Sequence, residues 1–133
     1  MPQKTERLLE VLYVSLLAGD PASGVVAEIA KAARIANLQL GITGLLVFDG
    51  LRFCQQIEGK PTQVEALMER IARDPRHTGV KILHHGPLAQ RRFRTFSLGY
   101  ADIAELDSLE RLEQLEGEAA MVAFVTLQPL WTW

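Results

Sequence analysis

The sequence predicts an α+β fold of the ferredoxin-like type, a βαββαββ mixed sheet. Two helices are expected on one face and C-terminal helices on the other. Short runs rich in Leu, Val and Phe end at Gly, Pro or Asp and read as strands. Two segments with apolar residues at spacings of three and four lie between them. The dipeptide Asp49-Gly50 separates two apolar runs, which indicates a tight hairpin.

The first half of the chain supplies a strand, a helix and a hairpin. Residues 8–18 read LLEVLYVSLLA and stop before a Gly-Asp-Pro turn, which predicts strand one. Helical spacing from residue 24 onward predicts helix one, with Ser23 as a possible N-cap and an end near Asn37. Residues 41–59 form the hairpin of strands two and three.

The second half repeats the helix and adds two strands. Helix two begins after Pro61, with Thr62 and Glu65 spaced as in a capping box, and ends at Asp74-Pro75. Strands four and five are expected at 79–89 and 96–103.

The last segment of the chain is predicted to be helical. It follows a domain of residues 1–101 and forms an extension over 102–133 that packs on the sheet. Its leucines recur every third position, which indicates a covering helix with an edge available for self-association.

Composition excludes several classes of function. The formal net charge is -2 and no Lys/Arg stripe appears, which argues against nucleic acid as the main partner. No stretch approaches the roughly 20 apolar residues of a membrane helix. The single Cys54 excludes an internal disulfide and, without a visible secretory signal, favours the cytoplasm. One Cys and three His at scattered spacing predict no metal site.

Three polar residues are expected to converge between the sheet and the helices. Tyr13 lies on strand one, Gln55 on strand three and Asn37 near the end of helix one. A carboxamide both donates and accepts, so it suits a heterocycle edge that alternates N–H and C=O, such as a pyrimidine or a flavin. Alternatively, each of these groups only satisfies nearby backbone, with Asn37 as a C-cap. The aliphatic side chains expected around this space are Ile29, Ile42 and Leu45.

Other reactive groups have simpler explanations. The run RDPRH contains Asp74, Arg76 and His77, which suit a phosphate tail or, equally, a solvated helix C-terminus. Cys54 is interpreted as a buried, inert thiol, because nothing near it in sequence lowers its pKa. His84 and His85 should point to opposite faces of strand four.

Five segments in order resemble the BLUF family of small flavin-binding blue-light sensors, over residues 8–101. They read LYVS, ARIANLQLGITGLL, FCQQIEG, IARDPRHTGVKIL and PLAQRRFRTFSLGY. The resemblance implies that Tyr13 is the photoactive tyrosine, Gln55 the switching glutamine and Asn37 the residue that grips the flavin. Gln56 should then face the other side of the sheet.

The resemblance also implies roles for residues around these three. Ile29 and Ile42 would contact the flavin, while the group formed by Asp74, Arg76 and His77 would lie near its ribityl and phosphate end. Phe96 and Leu98 occupy the positions that the family connects to signal transmission, where many relatives carry tryptophan and methionine. These two departures put the transmitted signal in question.

The mechanism implied by the resemblance is photochemical and turns over no substrate. The flavin, FAD or else FMN, would take an electron and a proton from Tyr13 under blue light and return both. Gln55 would be left rotated, tautomerised or both, with a changed hydrogen bond to the flavin. The signal would pass to a separate downstream protein, and a homo-oligomer is expected.

Two other classes of function stay open at this point. A protein-interaction module of the same fold that has lost light sensing is suggested by the departures at Phe96 and Leu98. A small enzyme on a ferredoxin-like scaffold, such as an acyl phosphate hydrolase, would need a Gly-rich loop followed by Arg near strand one. The sequence has no such loop there.

Overall fold

The computed structural model describes residues 7–19, 24–94, 96–100 and 107–127. The predicted βαββαββ order is confirmed, and two helices follow it. In chain order the elements are β1 (Leu8–Leu17), α1 (Val25–Leu40), β2 (Thr43–Phe48), β3 (Arg52–Gly59), α2 (Pro61–Arg73), β4 (His77–Leu88), β5 (Phe96–Tyr100), α3 (Asp107–Glu113) and α4 (Gly117–Leu127).

The five strands form one mixed sheet in the order β4-β1-β3-β2-β5. β1 pairs antiparallel with both β3 and β4, and β2 pairs antiparallel with β3 but parallel with β5. β1 and β3 are therefore neighbours inside the sheet, as predicted. Their register places Tyr13 directly opposite Gln55.

Each face of the sheet is covered by a pair of helices. Successive strand side chains point to opposite faces, so both faces carry apolar side chains that helices can bury. On the first face, α1 and α2 supply Val26, Ile29, Val64 and Leu67 to an apolar cluster with the sheet. On the second face, α3 and α4 supply Leu109, Leu112, Ala120, Met121 and Phe124. The predicted arrangement, with two helices on one face and the C-terminal helices on the other, is confirmed.

The ends of α1 differ from the prediction. Gly24, in the left-handed region, precedes the helix without a side-chain cap, and Ser23 lies outside the described residues. The helix continues to Leu40 and ends at Gly41, whose φ of 67° is one that glycine adopts readily. Asn37 therefore lies inside the helix, and its interpretation as a C-cap was wrong.

The start of α2 and the bounds of β4 were also misplaced. Lys60 precedes α2 without a side-chain cap, and Pro61 takes the first helical position. The proposed capping box was wrong because Thr62 stands after that proline. β4 begins at His77, two residues early, because a tight turn joins His77 N–H to the Asp74 carbonyl at 3.1 Å.

The described part of the C-terminal region agrees with a helical extension. β5 is described to Tyr100, and the remainder of the predicted strand, residues 101–103, lies outside the described residues, as does the tail at 128–133. Among the helices that the structure describes, none has both the length and the apolarity to cross a membrane.

Candidate functional site

A groove lies between α1, α2 and the first face of the sheet, and it collects most of the predicted site. Its lining includes Tyr13, Ile29, Asn37, Gln55, Asp74, Arg76 and His77. Two predicted wall residues lie elsewhere. Ile42 is buried in the core of this face without lining the groove, and Leu45 packs on the opposite face. The neighbouring Leu46 lines the groove instead, because a shift of one residue along a strand exchanges the faces.

Tyr13 and Gln55 form the polar centre of the groove floor. The Tyr13 hydroxyl donates a hydrogen bond to Gln55 Oε1 across the β1–β3 pair. Both side chains are buried. Burial raises the pKa of Tyr13, with smaller contributions from Cys54 and Asp74. The phenol thus remains a neutral donor near pH 7, and it occupies the carbonyl oxygen of the Gln55 amide.

Asn37 supplies an amide whose two polar atoms have no partner among the residues that the structure describes. The residue is fully buried on α1, yet neither Nδ2 nor Oδ1 has a hydrogen bond within the described part of the chain. Buried polar side chains are almost always satisfied, and an unsatisfied one costs about 1–3 kcal/mol. A donor and an acceptor left open side by side point to a ligand edge that offers the complementary pair.

Small side chains on α1 give the groove a flat wall. Ala32, Ala33 and Ala36 line it on the turns that precede Asn37. Ala33 and Ala36 belong to the spacing of three and four from which the sequence predicted helix one. Small side chains let a planar ligand approach the helix closely.

The acidic and basic residues after α2 are engaged with each other. Arg76 Nε and Nη2 donate to the Asp74 carboxylate at 3.0 and 2.7 Å, and the Arg76 backbone N–H adds a bond of 2.9 Å. The hydrogen bonds from Arg76 hold the pKa of Asp74 below its usual range. The Arg76 guanidinium, which the sequence suggested as a phosphate ligand, therefore binds Asp74. A second cation, Arg70, also lines the groove, and sequence reasoning missed it.

His77 packs beside the tyrosine. Its ring lies edge-on to Tyr13, with centroids 6.4 Å apart, and its Nδ1 is 2.9 Å from Ser15 Oγ. Burial lowers the pKa of His77, which outweighs the opposite effect of Asp74. The imidazole is thus neutral near pH 7 and helps to fix the wall next to the phenol.

The remaining predictions concern Cys54 and metal binding. Cys54 is fully buried on the second face of the sheet, and burial raises the pKa of its thiol, as expected for an inert cysteine. Within residues 7–19, 24–94, 96–100 and 107–127, no cluster of His, Cys, Asp or Glu is suited to hold a metal ion.

Comparison with known proteins identifies relatives of the chain. The model of the BLUF family, described as sensors of blue light using FAD, matches residues 8–99. The chain is 33% identical over 86 residues to the blue light- and temperature-regulated antirepressor BluF of Escherichia coli strain K12, covering 65% of this chain and 21% of that protein. It is 35% identical over 68 residues to the photoactivated adenylate cyclase subunit beta of Euglena gracilis, covering 51% of this chain and 8% of that protein.

A solved structure shows the same fold over most of its length. The dark-state structure of the BLUF protein BlrB superposes with a TM-score of 0.68 at 32% identity, covering 84% of this chain and 85% of that one. The chain spans only about a fifth or less of the two curated relatives above. The residues matched by the family model are those of a blue-light sensor domain.

Proposed function

The chain belongs to the BLUF family of flavin-binding blue-light sensors, and on that premise we propose that Tyr13 and Gln55 are its light-responsive pair. The supporting observation is the buried hydrogen bond from the Tyr13 hydroxyl to Gln55 Oε1, next to the unsatisfied amide of Asn37. All three side chains line one groove. The pair therefore stands where it would meet the polar edge of a bound ring.

The groove residues fit the flavin in chemistry but leave little room. Asn37 offers an open donor and an open acceptor, which match the alternating C=O and N–H of the ring's pyrimidine edge. The cavity volume is about 110 Å³, whereas ligand pockets usually hold roughly 300 Å³ or more. Binding of the whole ring therefore requires part of it to lie in the groove mouth, or α1 and α2 to separate.

Tyr13 and Gln55 have different roles in the proposed light response. A bound flavin supplies absorption of blue light and an excited state that accepts an electron. The Tyr13 hydroxyl already points at Gln55 Oε1, so the Gln55 amide is the first group that the phenolic proton meets. Burial disfavours the tyrosinate, so Tyr13 would give up its proton together with, or after, the electron. Gln55 would be left with a different hydrogen bond to the ring, as a rotamer, a tautomer or both.

The other groove residues hold the ligand. Asn37 would bind the pyrimidine edge, and Ile29 with the α1 alanines, which line the same groove, would pack against the ring face. Asp74 fixes the Arg76 fork, and the two, with His77, would hold the ribityl and phosphate end. Arg70, which lines the same groove, would add a second cation for that end. FAD is the proposed flavin, and FMN offers the same ring to these residues.

The output is proposed to be binding to a separate protein, with the chain acting as a homo-oligomer in the cytoplasm. Its relative from Escherichia coli is an antirepressor, a class of protein that acts through another protein. Phe96 and Leu98 remain candidates for transmission. Their side chains lie outside the described part, but the β5 backbone pairs Leu98 with Leu46, a groove residue.

An absorption measurement tests the proposal. Purified chain loaded with FAD or FMN should show a small, reversible red shift of the flavin band in blue light. Tyr13→Phe removes only the hydroxyl and should bind flavin without that shift. The other tyrosine of the chain provides the matched control, and Tyr100→Phe should keep it. A full shift in Tyr13→Phe, or no flavin binding by the unmodified chain, would overturn the proposal.

A further inference from the structure

A buried polar network lies on the second face of the sheet, directly behind the Tyr13–Gln55 pair. Gln56 follows Gln55 along β3 and faces the opposite side, as the strand period requires. The register also places Glu10 on β1 directly opposite Glu58 on β3. Two like charges facing each other destabilise a sheet unless other groups compensate them. The compensating side chains are Gln56, Arg92, His84 and Thr43.

Gln56 bridges the two carboxylates. Its Nε2 donates to Glu10 Oε2 at 3.1 Å and to Glu58 Oε1 at 2.9 Å. Carboxylates only accept, so the orientation of the amide is fixed by its neighbours. Its Oε1 is consequently buried without a hydrogen bond to any residue the structure describes. That oxygen lies toward Gly44 on β2, where an added Cβ would be 2.9 Å away.

Arg92 extends the network to the C-terminal helices. Its Nε donates to Glu10 Oε2 at 2.5 Å, and its backbone N–H donates to Glu58 Oε1 at 2.9 Å. Arg92 and Glu10 line a cavity of about 190 Å³ together with Glu118 and Met121 of α4. The loop between β4 and β5 is thus tied to the central strands on one side and borders α4 on the other.

The Gln56 bridge leaves one polar atom of the amide open. Nε2 donates to both carboxylates, whereas Oε1 has no hydrogen bond within the described part of the chain, so a displacement of β3 that brought a donor to this oxygen would compete with the bridge. Withdrawing the amide would leave two buried carboxylates with fewer donors, and such groups respond strongly to the loss of a partner. Arg92 is bound to both Glu10 and Glu58, so its position would change when these carboxylates move.

We propose that Gln56 and Arg92 are positioning residues that convey the change at Gln55 to α4. This rests on the proposed light response of Gln55, whose peptide bond it shares with Gln56. A rearranged Gln55 displaces β3, the Gln56 bridge adjusts, and Arg92 changes its position against Glu118 and Met121. The outer side of α4 exposes Val122 and Val125, which are 63% and 39% solvent-accessible. A partner would bind this side and so respond to the displacement of the helix.

Hydrogen–deuterium exchange of the flavin-loaded chain, in the dark and in blue light, tests the proposal. We expect light to change exchange in residues 117–127. Arg92→Gln should keep the red shift of the flavin band and reduce that light-dependent difference about threefold or more. Arg94→Gln, an exposed change in the same loop, should retain both signals. Arg92 is about one-third exposed, at 36%, so its substitution should leave the chain folded.

A second variant approaches the network from the strand. Gln56→Leu in the flavin-free chain should speed exchange in residues 91–93 and 117–127 relative to the unmodified chain. An equal α4 light response in Arg92→Gln and unmodified protein would overturn the relay, as would a shifted flavin band with no change in α4. Absence of the red shift from the unmodified chain would instead refute the proposed function and the relay with it.

Discussion

Gln55 and Gln56 are adjacent buried amides on opposite faces of one strand, and their surroundings differ sharply. On the first face, Gln55 accepts from the neutral Tyr13, and Asn37 keeps an open donor and acceptor. On the second face, Gln56 donates to two carboxylates that Arg92 also binds. Among the described residues, the Asn37 amide on the first face lacks hydrogen-bond partners that a ligand could supply, whereas on the second face protein groups satisfy most of the buried polar atoms.

The polar groups on the two faces should contribute differently to ligand affinity and to folding stability. Groups left open in a groove lower the stability of the protein alone and contribute affinity when a ligand satisfies them. Groups that satisfy buried charges contribute to folding, because their removal leaves charge without a partner. Substitutions on the two faces should therefore have opposite consequences.

The largest effect on stability is expected at Gln56. Gln56→Leu removes the donors that Glu10 and Glu58 share, and we expect the free energy of unfolding to fall by about 2–4 kcal/mol. Equilibrium urea denaturation of the flavin-free chain measures it. A change within about 0.5 kcal/mol would show that the second-face network contributes no more than an ordinary surface contact.

A smaller effect of the opposite sign is expected at Asn37. Asn37→Leu replaces an unsatisfied buried amide by an apolar side chain, which should leave the flavin-free stability unchanged or raise it by up to about 1 kcal/mol. Flavin affinity should fall about 10- to 100-fold, as lost hydrogen bonds of roughly 1.4–2.8 kcal/mol imply. Titration with FAD and urea denaturation measure both quantities. Destabilisation as large as that of Gln56→Leu would remove the contrast between the faces.

The smallest effect concerns acidification of the first face. Burial holds the pKa of His77 below its usual 6.5, so the unfolded chain takes up this proton first. The resulting stability is complete above pH 6.5 and is lost as the pH falls through the lower, folded-state pKa. Asp74, whose pKa is lowered chiefly by the Arg76 hydrogen bond, behaves likewise below its usual 3.8.

A matched histidine pair isolates that effect. Urea midpoints measured at about pH 7.5 and about pH 5.5 should differ less in His77→Asn than in the unmodified chain. His85, with a side chain 50% exposed on β4 and its Nε2 3.5 Å from Glu65 Oε1, provides the comparison, and His85→Asn is measured in the same way. An undiminished pH dependence in His77→Asn would assign the acid sensitivity to other groups.

Apolar runs and helical periodicity were enough to predict the fold, whereas the roles of the site residues came from the family resemblance. Apolar runs that end at turn residues marked the strands, which are buried on both faces, and the 3.6-residue spacing in α1 and α2 recorded which helix face packs on the core, so together they indicated order and layers. Helix ends were harder to predict: α1 runs past Asn37 and ends at Gly41, and Pro61 takes the first position of α2, where a capping box with Thr62 was expected.

The second-face network was not predictable in the same way. Glu10 stands in an apolar run, and its partners Glu58 and Arg92 lie 48 and 82 residues further along the chain. Only the register of β1 against β3 brings the two carboxylates together, and only then does a compensating cation become necessary. Likewise, pairing of the Arg76 fork with Asp74 depends on the turn after α2, which spacing alone did not reveal.

The most direct measurement compares light-minus-dark absorption spectra of flavin-loaded Gln55→Leu and Gln56→Leu. Both variants remove one buried amide from the same strand, one on each face. The account predicts that Gln55→Leu binds flavin without a reversible red shift, while Gln56→Leu retains the shift. A red shift of normal size in Gln55→Leu would contradict it.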